Sequence, residues 1–81
     1  MEPRLEVALG ENLRAYRRVH GLTQEELAES LGSHRTYIGS IERGERNLSL
    51  AAIQRLAHDL HLTPLALLTP GSIEYEPHAA D

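Results

Sequence analysis

The chain contains no cysteine, no lysine, no phenylalanine and no tryptophan. Without cysteine there is no disulfide and no thiolate metal site, so the fold must hold through packing alone. No apolar run approaches the ~18 residues of a membrane span, and the N-terminus lacks a basic stretch followed by an apolar one. A soluble, cytoplasmic protein is the expectation. Three tyrosines are the whole aromatic complement, so the core must be built from Leu, Ile, Val and Ala. The absence of lysine makes every permanent cation, eight in all, an arginine, a planar fork suited to a phosphate or a base edge. A single domain of this size buries roughly 60–65% of the surface its unfolded form exposes, enough for one layer of short helices.

What the sequence does contain is helix punctuation. Leu5, Ala8, Leu9, Leu13 and Tyr16 recur at spacings of three and four, which predicts a first helix from about Pro3 to Val19. Pro3 suits its first turn and Gly21 its left-handed cap. Gly10 in the middle costs about 1 kcal/mol against Ala, and a close contact with another helix would explain it. Thr23 and Glu26 form the capping box of a second helix, with Leu22 and Leu27 as its hydrophobic staple. Leu27, Ala28 and Leu31 point inward and Gly32 ends it. Ser33 is expected to cap a third helix, from His34 to about Arg43, closed by Gly44. Ser49 caps a fourth, stapled by Leu48 and Ile53, with Leu50, Ile53, Leu56, Ala57 and Leu60 expected on its inner face. Thr63 and Pro64 open a short fifth, stapled by Leu62 and Leu67; Pro70 and Gly71 stop it. The expected fold is all-α, a five-helix domain over residues 1–70. A tail, 71–81, follows, in which Ile73 and Tyr75 alternate briefly; it is expected either to fray or to form a short strand or arm.

The formal net charge is −4, yet residues 34–47, "HRTYIGSIERGERN", hold Arg35, Arg43 and Arg46 against Glu42 and Glu45. Glu2, Glu6, Glu74, Glu76 and Asp81 lie at the chain ends. A polarised chain of this kind can present one basic face to a polyanion while its acidic side limits non-specific adhesion. On a wheel of 100° per residue, Ile38 and Ile41 point one way, with Tyr37 and Glu42 at the edges. The opposite arc holds Arg35, Thr36, Gly39, Ser40 and Arg43, short or planar hydrogen-bonding groups with no carboxylate among them. An ordinary solvated face would more often carry Glu and Lys. The arc suits a DNA major groove, where Arg grips guanine O6 and N7 and Thr offers its methyl to thymine. The free N–H groups that open helix two, together with Gln24, can sit on a phosphate. Arg46 and Asn47 can reach backbone or groove, and Arg14, Arg17 and Arg18 extend a basic stripe along the end of helix one.

The run "GLTQEELAESLG", a third helix, and then "IERGERNLSL" resemble the helix-turn-helix domains of the phage Cro/repressor (Xre-like) family over residues 10 to about 68. Within that family, "RTYIGSIERGERN" is most similar to the controller proteins of restriction–modification systems. The resemblance implies a lambda-repressor-like, dimeric transcription regulator that binds a palindromic operator in double-stranded DNA and needs no cofactor. It implies that Arg35, Thr36 and Ser40 contact bases, and that Gln24, Tyr37, Arg43, Arg46 and Asn47 contact backbone or groove. It also implies an interior ion pair, Arg17 with Glu42, tying helix one to helix three. Gly39 departs from the pattern, since many members carry a bulkier residue there, and the tail beyond Gly71 matches no family pattern. Antitoxins and phage-type repressors share similar runs. A protein–protein adaptor could also use the fold without DNA.

Leu65, Leu68 and Ile73 exceed the needs of a one-layer core. A two-fold dimer interface through helix five and the end of helix four is therefore expected, because symmetry doubles the base pairs read. His58 and His61 stand three apart, but two ligands without a third make a poor zinc site, and no metal is expected. His20 and His34 flank the DNA face, either near phosphate or as plain surface residues. Ser30, Ser33 and Ser40 lie near no convincing base, so no enzyme is expected.

Overall fold

Side-chain caps set where loop becomes helix. Thr23 Oγ1 accepts from the Glu26 amide at 3.0 Å while the Thr23 amide donates to Glu26 Oε1 at 2.8 Å, a complete capping box. Ser49 Oγ and Thr63 Oγ1 each accept from the amide three residues on, at 3.1 Å in both cases. The structure, a computed structural model, describes residues 4–74. Five helices follow in order: α1 (Leu5–Val19), α2 (Gln24–Ser30), α3 (Arg35–Glu42), α4 (Leu50–Asp59) and α5 (Pro64–Leu68). Arg4 holds the N-cap position of α1 without a side-chain bond; Pro3, expected in its first turn, and Tyr75, in the tail, lie outside the described residues.

Two local expectations fail. Ser33 does not cap α3: its amide donates to the Ala28 carbonyl at 2.8 Å and so finishes α2, leaving His34 at the cap with no side-chain bond. Leu50 does not face inward but is 82% exposed. At 100° per residue it stands roughly 70° off the middle of the arc set by Ile53, Leu56, Ala57 and Leu60. Leu48, half-buried before the cap, packs against the core instead. His61 lies past the end of α4 in the left-handed region, φ 60°, so it does not share a helix face with His58. Among the described residues no group of three potential metal ligands forms, and no helix is long and apolar enough to cross a membrane.

The core is Leu9, Leu13, Leu27, Ala28, Ile38, Ile41, Leu56, Ala57, Leu60 and Leu67. Its centre rod is α1, which packs on α3 and on α5; α2 lies on α3 and α4 on α5. Gly10 makes the first of these contacts possible. A Cβ there would collide with the Ile41 carbonyl oxygen and stand 2.8 Å from that of Glu42. Asn12 makes the second. Fully buried, its Nδ2 donates to the carbonyls of Leu67 at 2.7 Å and Thr69 at 2.9 Å, with Ala66 at 3.2 Å, tying α1 to the last turn of α5.

Candidate nucleic-acid interface

Three helices meet at one carboxylate. Glu42, in the last turn of α3, has no exposed side-chain surface. Arg17 of α1 binds it with two prongs, Nε to Oε2 at 2.7 Å and Nη2 to Oε1 at 3.0 Å. The third Arg17 nitrogen, Nη1, donates to the Leu22 carbonyl at 3.0 Å, just ahead of α2. Gln24, the first residue of α2, donates its Nε2 to Oε1 at 3.0 Å, and Arg14 Nε lies 3.5 Å from the same oxygen. Burial by itself pushes the Glu42 carboxyl up. Hydrogen bonds from Arg17 and Gln24 and the charges of Arg17 and Arg14 outweigh it, so the carboxyl stays below its ordinary range. The same pairing raises Arg17. The angle between α2 and α3 is thus locked by a charge-assisted network.

On the outer side of this lock, Arg35 and Thr36 are exposed in the first turn of α3, beside the capped start of α2. Tyr37 is half-buried and carries the Arg46 guanidinium 5.0 Å from its ring centre, a cation–π contact. Arg46 Nε also donates to Ser40 Oγ at 3.1 Å. Ser40, expected to face bases, is only 9% exposed and gives its own hydroxyl proton to the Tyr37 carbonyl at 2.8 Å. Gln24, expected on phosphate, has one amide hydrogen committed to Glu42. Arg43 Nε donates to Glu45 Oε2 at 3.1 Å, and the pair is more than half exposed. Asn47 is exposed. Of the basic stripe expected on α1, Arg17 is consumed by Glu42 and Arg14 partly so, which leaves Arg18 exposed.

An α2–turn–α3 unit with an exposed Arg–Thr pair opening its second helix is the geometry in which a helix enters a groove. The helix-turn-helix family matches residues 13–68. The chain belongs to that family. Among its relatives, Control protein C.SmaI of Serratia marcescens is 48% identical over 68 residues, covering 84% of this chain and 81% of that protein. The crystal structure of the restriction–modification controller protein C.AhdI from Aeromonas hydrophila is 45% identical and superposes with a TM-score of 0.66 over 76% of this chain and 94% of that one. The controller C.Esp1396I, solved as a tetramer with its natural 35 base-pair operator, is 30% identical, TM-score 0.67, over 82% and 87% of the two chains. Within this helix-turn-helix domain, the structure adds one residue, and one shared role for two others, that spacing alone did not single out. Asn12 sits on the apolar face of α1, three after Leu9 and four after Ala8, and a polar residue there was its only signal. Arg14 and Gln24 join the Glu42 cluster from separate helices, which no local pattern announces.

Proposed function

We propose that the chain is a sequence-specific transcription regulator, a two-fold dimer that inserts α3 into the major groove of a palindromic operator and serves as the controller of a restriction–modification system. The exposed Arg35–Thr36 pair on a locked α3 carries the reading. Arg35 spans guanine O6 and N7, and Thr36 meets a thymine methyl. Gln24, which shares a recess with that pair, and Tyr37, Arg46 and Asn47 are suited to sugar and phosphate, which fix register without reading sequence. The 48% identity to a control protein supports the controller assignment.

The dimer face differs in one respect from the sequence expectation. Leu56 and Leu60, near the end of α4, are core residues, whereas Leu50 at its start is 82% and Leu65 of α5 is 73% exposed. Leu5, Leu50 and Leu68 share a groove of about 200 Å³ with Leu9, Leu48 and Ile53. The proposed face therefore takes in α5 and the beginning of α4, with the half-buried Leu68 and Ile73 at its margin.

Titrating fluorescent duplexes over a range of salt tests the function. Tight binding to a sequence upstream of its own gene, with log K falling about 0.9 per phosphate neutralised for each unit of log salt, is the expected result. No binding even at low salt would remove DNA from the account.

A further inference from the structure

Gly39 stands in the middle of the outward arc of α3, yet it is buried. A guanidinium and an amide cover it. A Cβ built on Gly39 would stand 3.2 Å from Arg43 Nη1, 3.5 Å from Gln24 Oε1 and 3.8 Å from Gln24 Nε2. Side chains on a helix lean toward its N-terminus. Arg43, one turn after Gly39, follows that rule and runs back along the surface of α3 instead of outward from its end. Gln24, Arg35, Thr36, Gly39 and Arg43 then line one recess of about 150 Å³.

Two further contacts decide what the guanidinium can do there. Arg43 Nε is already donating to Glu45 Oε2 at 3.1 Å, which leaves the two terminal nitrogens, the pair that spans guanine O6 and N7. Ser40 is withdrawn under Tyr37 and Arg46, so the arc needs another reader in its second turn.

We propose that Arg43 reads a guanine, that Gly39 permits it by leaving the recess open, and that Glu45 is the positioning residue that aims it. The assignment rests on α3 being the groove helix. A phosphate clamp would be poorly built at this place, because Glu45 would repel the phosphate that Arg43 had to hold. For a base reader the same carboxylate is an asset. It offsets the desolvation of the guanidinium and fixes its plane.

The test enriches bound duplexes from a random pool with the wild type. Affinities of wild type, Arg43→Ala, Arg43→Lys, Glu45→Gln and Gly39→Leu are then measured for the enriched sequence and every single base-pair change. The side chains of Arg43 and Glu45 are 53% and 58% exposed, so their substitution should leave folding intact, which thermal melts check. One guanine per half-site is expected whose replacement costs the wild type about 5- to 150-fold and costs Arg43→Ala nothing. Arg43→Lys keeps the charge but not the fork, so it should retain random-DNA binding and lose that preference. Gly39→Leu should lose the same preference by displacing Arg43. Glu45→Gln should bind random duplex more tightly while discriminating less at that one pair. The assignment is overturned if Arg43→Ala weakens every sequence by one factor, lowers the salt slope by about one per subunit and keeps all preferences. A wild type that enriches no sequence overturns the operator reading, and this assignment with it.

Discussion

Glu42 is a carboxylate with no exposed side-chain surface, and it stays charged because four nitrogens on three other side chains point at it. Removing one partner from such a group strands charge, at a cost of roughly 3–5 kcal/mol. In a domain of this size each kcal/mol moves the melting temperature by about 4–8 °C. Glu42→Ala should therefore melt more than ten degrees below wild type, and a drop of a degree or two would mean the network stabilises nothing. The lowered carboxyl sets the pH dependence. A group ionised more easily in the folded state stabilises fully above the ordinary carboxylate value near ~4.3, and loses that contribution as pH falls through the lowered folded value. The gap between wild type and Glu42→Ala should be widest at neutral pH and shrink on acidification. Melts at several pH values check it, and a gap that is constant down to pH 3 contradicts it.

At the scale of elements, α1 decides the architecture through two residues that break helix preferences. In an exposed helix, Gly→Ala gains about 1 kcal/mol. Gly10→Ala should do the reverse, because its methyl meets backbone carbonyls of α3 that cannot swing aside; an increase in melting temperature would refute the contact. The five residues of α5 are too few to hold as a helix alone, and Asn12 fastens their end. Asn12→Ala leaves up to three carbonyls without their donor and should cost roughly 1–3 kcal/mol. Amide exchange should quicken first in α5, and uniform protection would place the fastening elsewhere. The same distinction separates what the sequence disclosed from what it did not. Thr23, Ser49 and Thr63 were legible as caps because a cap bonds within three residues of itself. The apolar face of α3 was legible from its period, and so was that of α1 except for Leu5, which is 59% exposed. Ser33, Leu50 and Ser40 were misjudged because a neighbouring helix end, a register offset and Arg46 decide them. The recess over Gly39 depends on Gln24, fifteen positions earlier, which no wheel drawn on α3 alone includes.

For the whole molecule, the exposed Leu50 and Leu65 lie on α4 and α5 while Arg35 lies on α3, so association and reading can be separated by mutation. Leu50→Glu with Leu65→Glu should leave the melting curve of the monomer nearly unchanged, since both side chains are mostly in solvent. Sedimentation at micromolar concentration should then show monomers where the wild type shows dimers, and operator affinity should fall with the lost partner. A double variant that still sediments as a dimer would move the interface off this face. The bracing of α1 extends that dimer geometry to the DNA. Asn12 pins the rod to α5, the proposed dimer element, and Arg17 and Gly10 pin it to α3, so the two reading helices are held stiffly about the symmetry axis. One base pair inserted between half-sites rotates the second by about 35° around the duplex. A braced pair cannot follow that rotation. An operator lengthened by one base pair should bind no better than random duplex, although every contacted base is still present; helical phase becomes part of the recognised message.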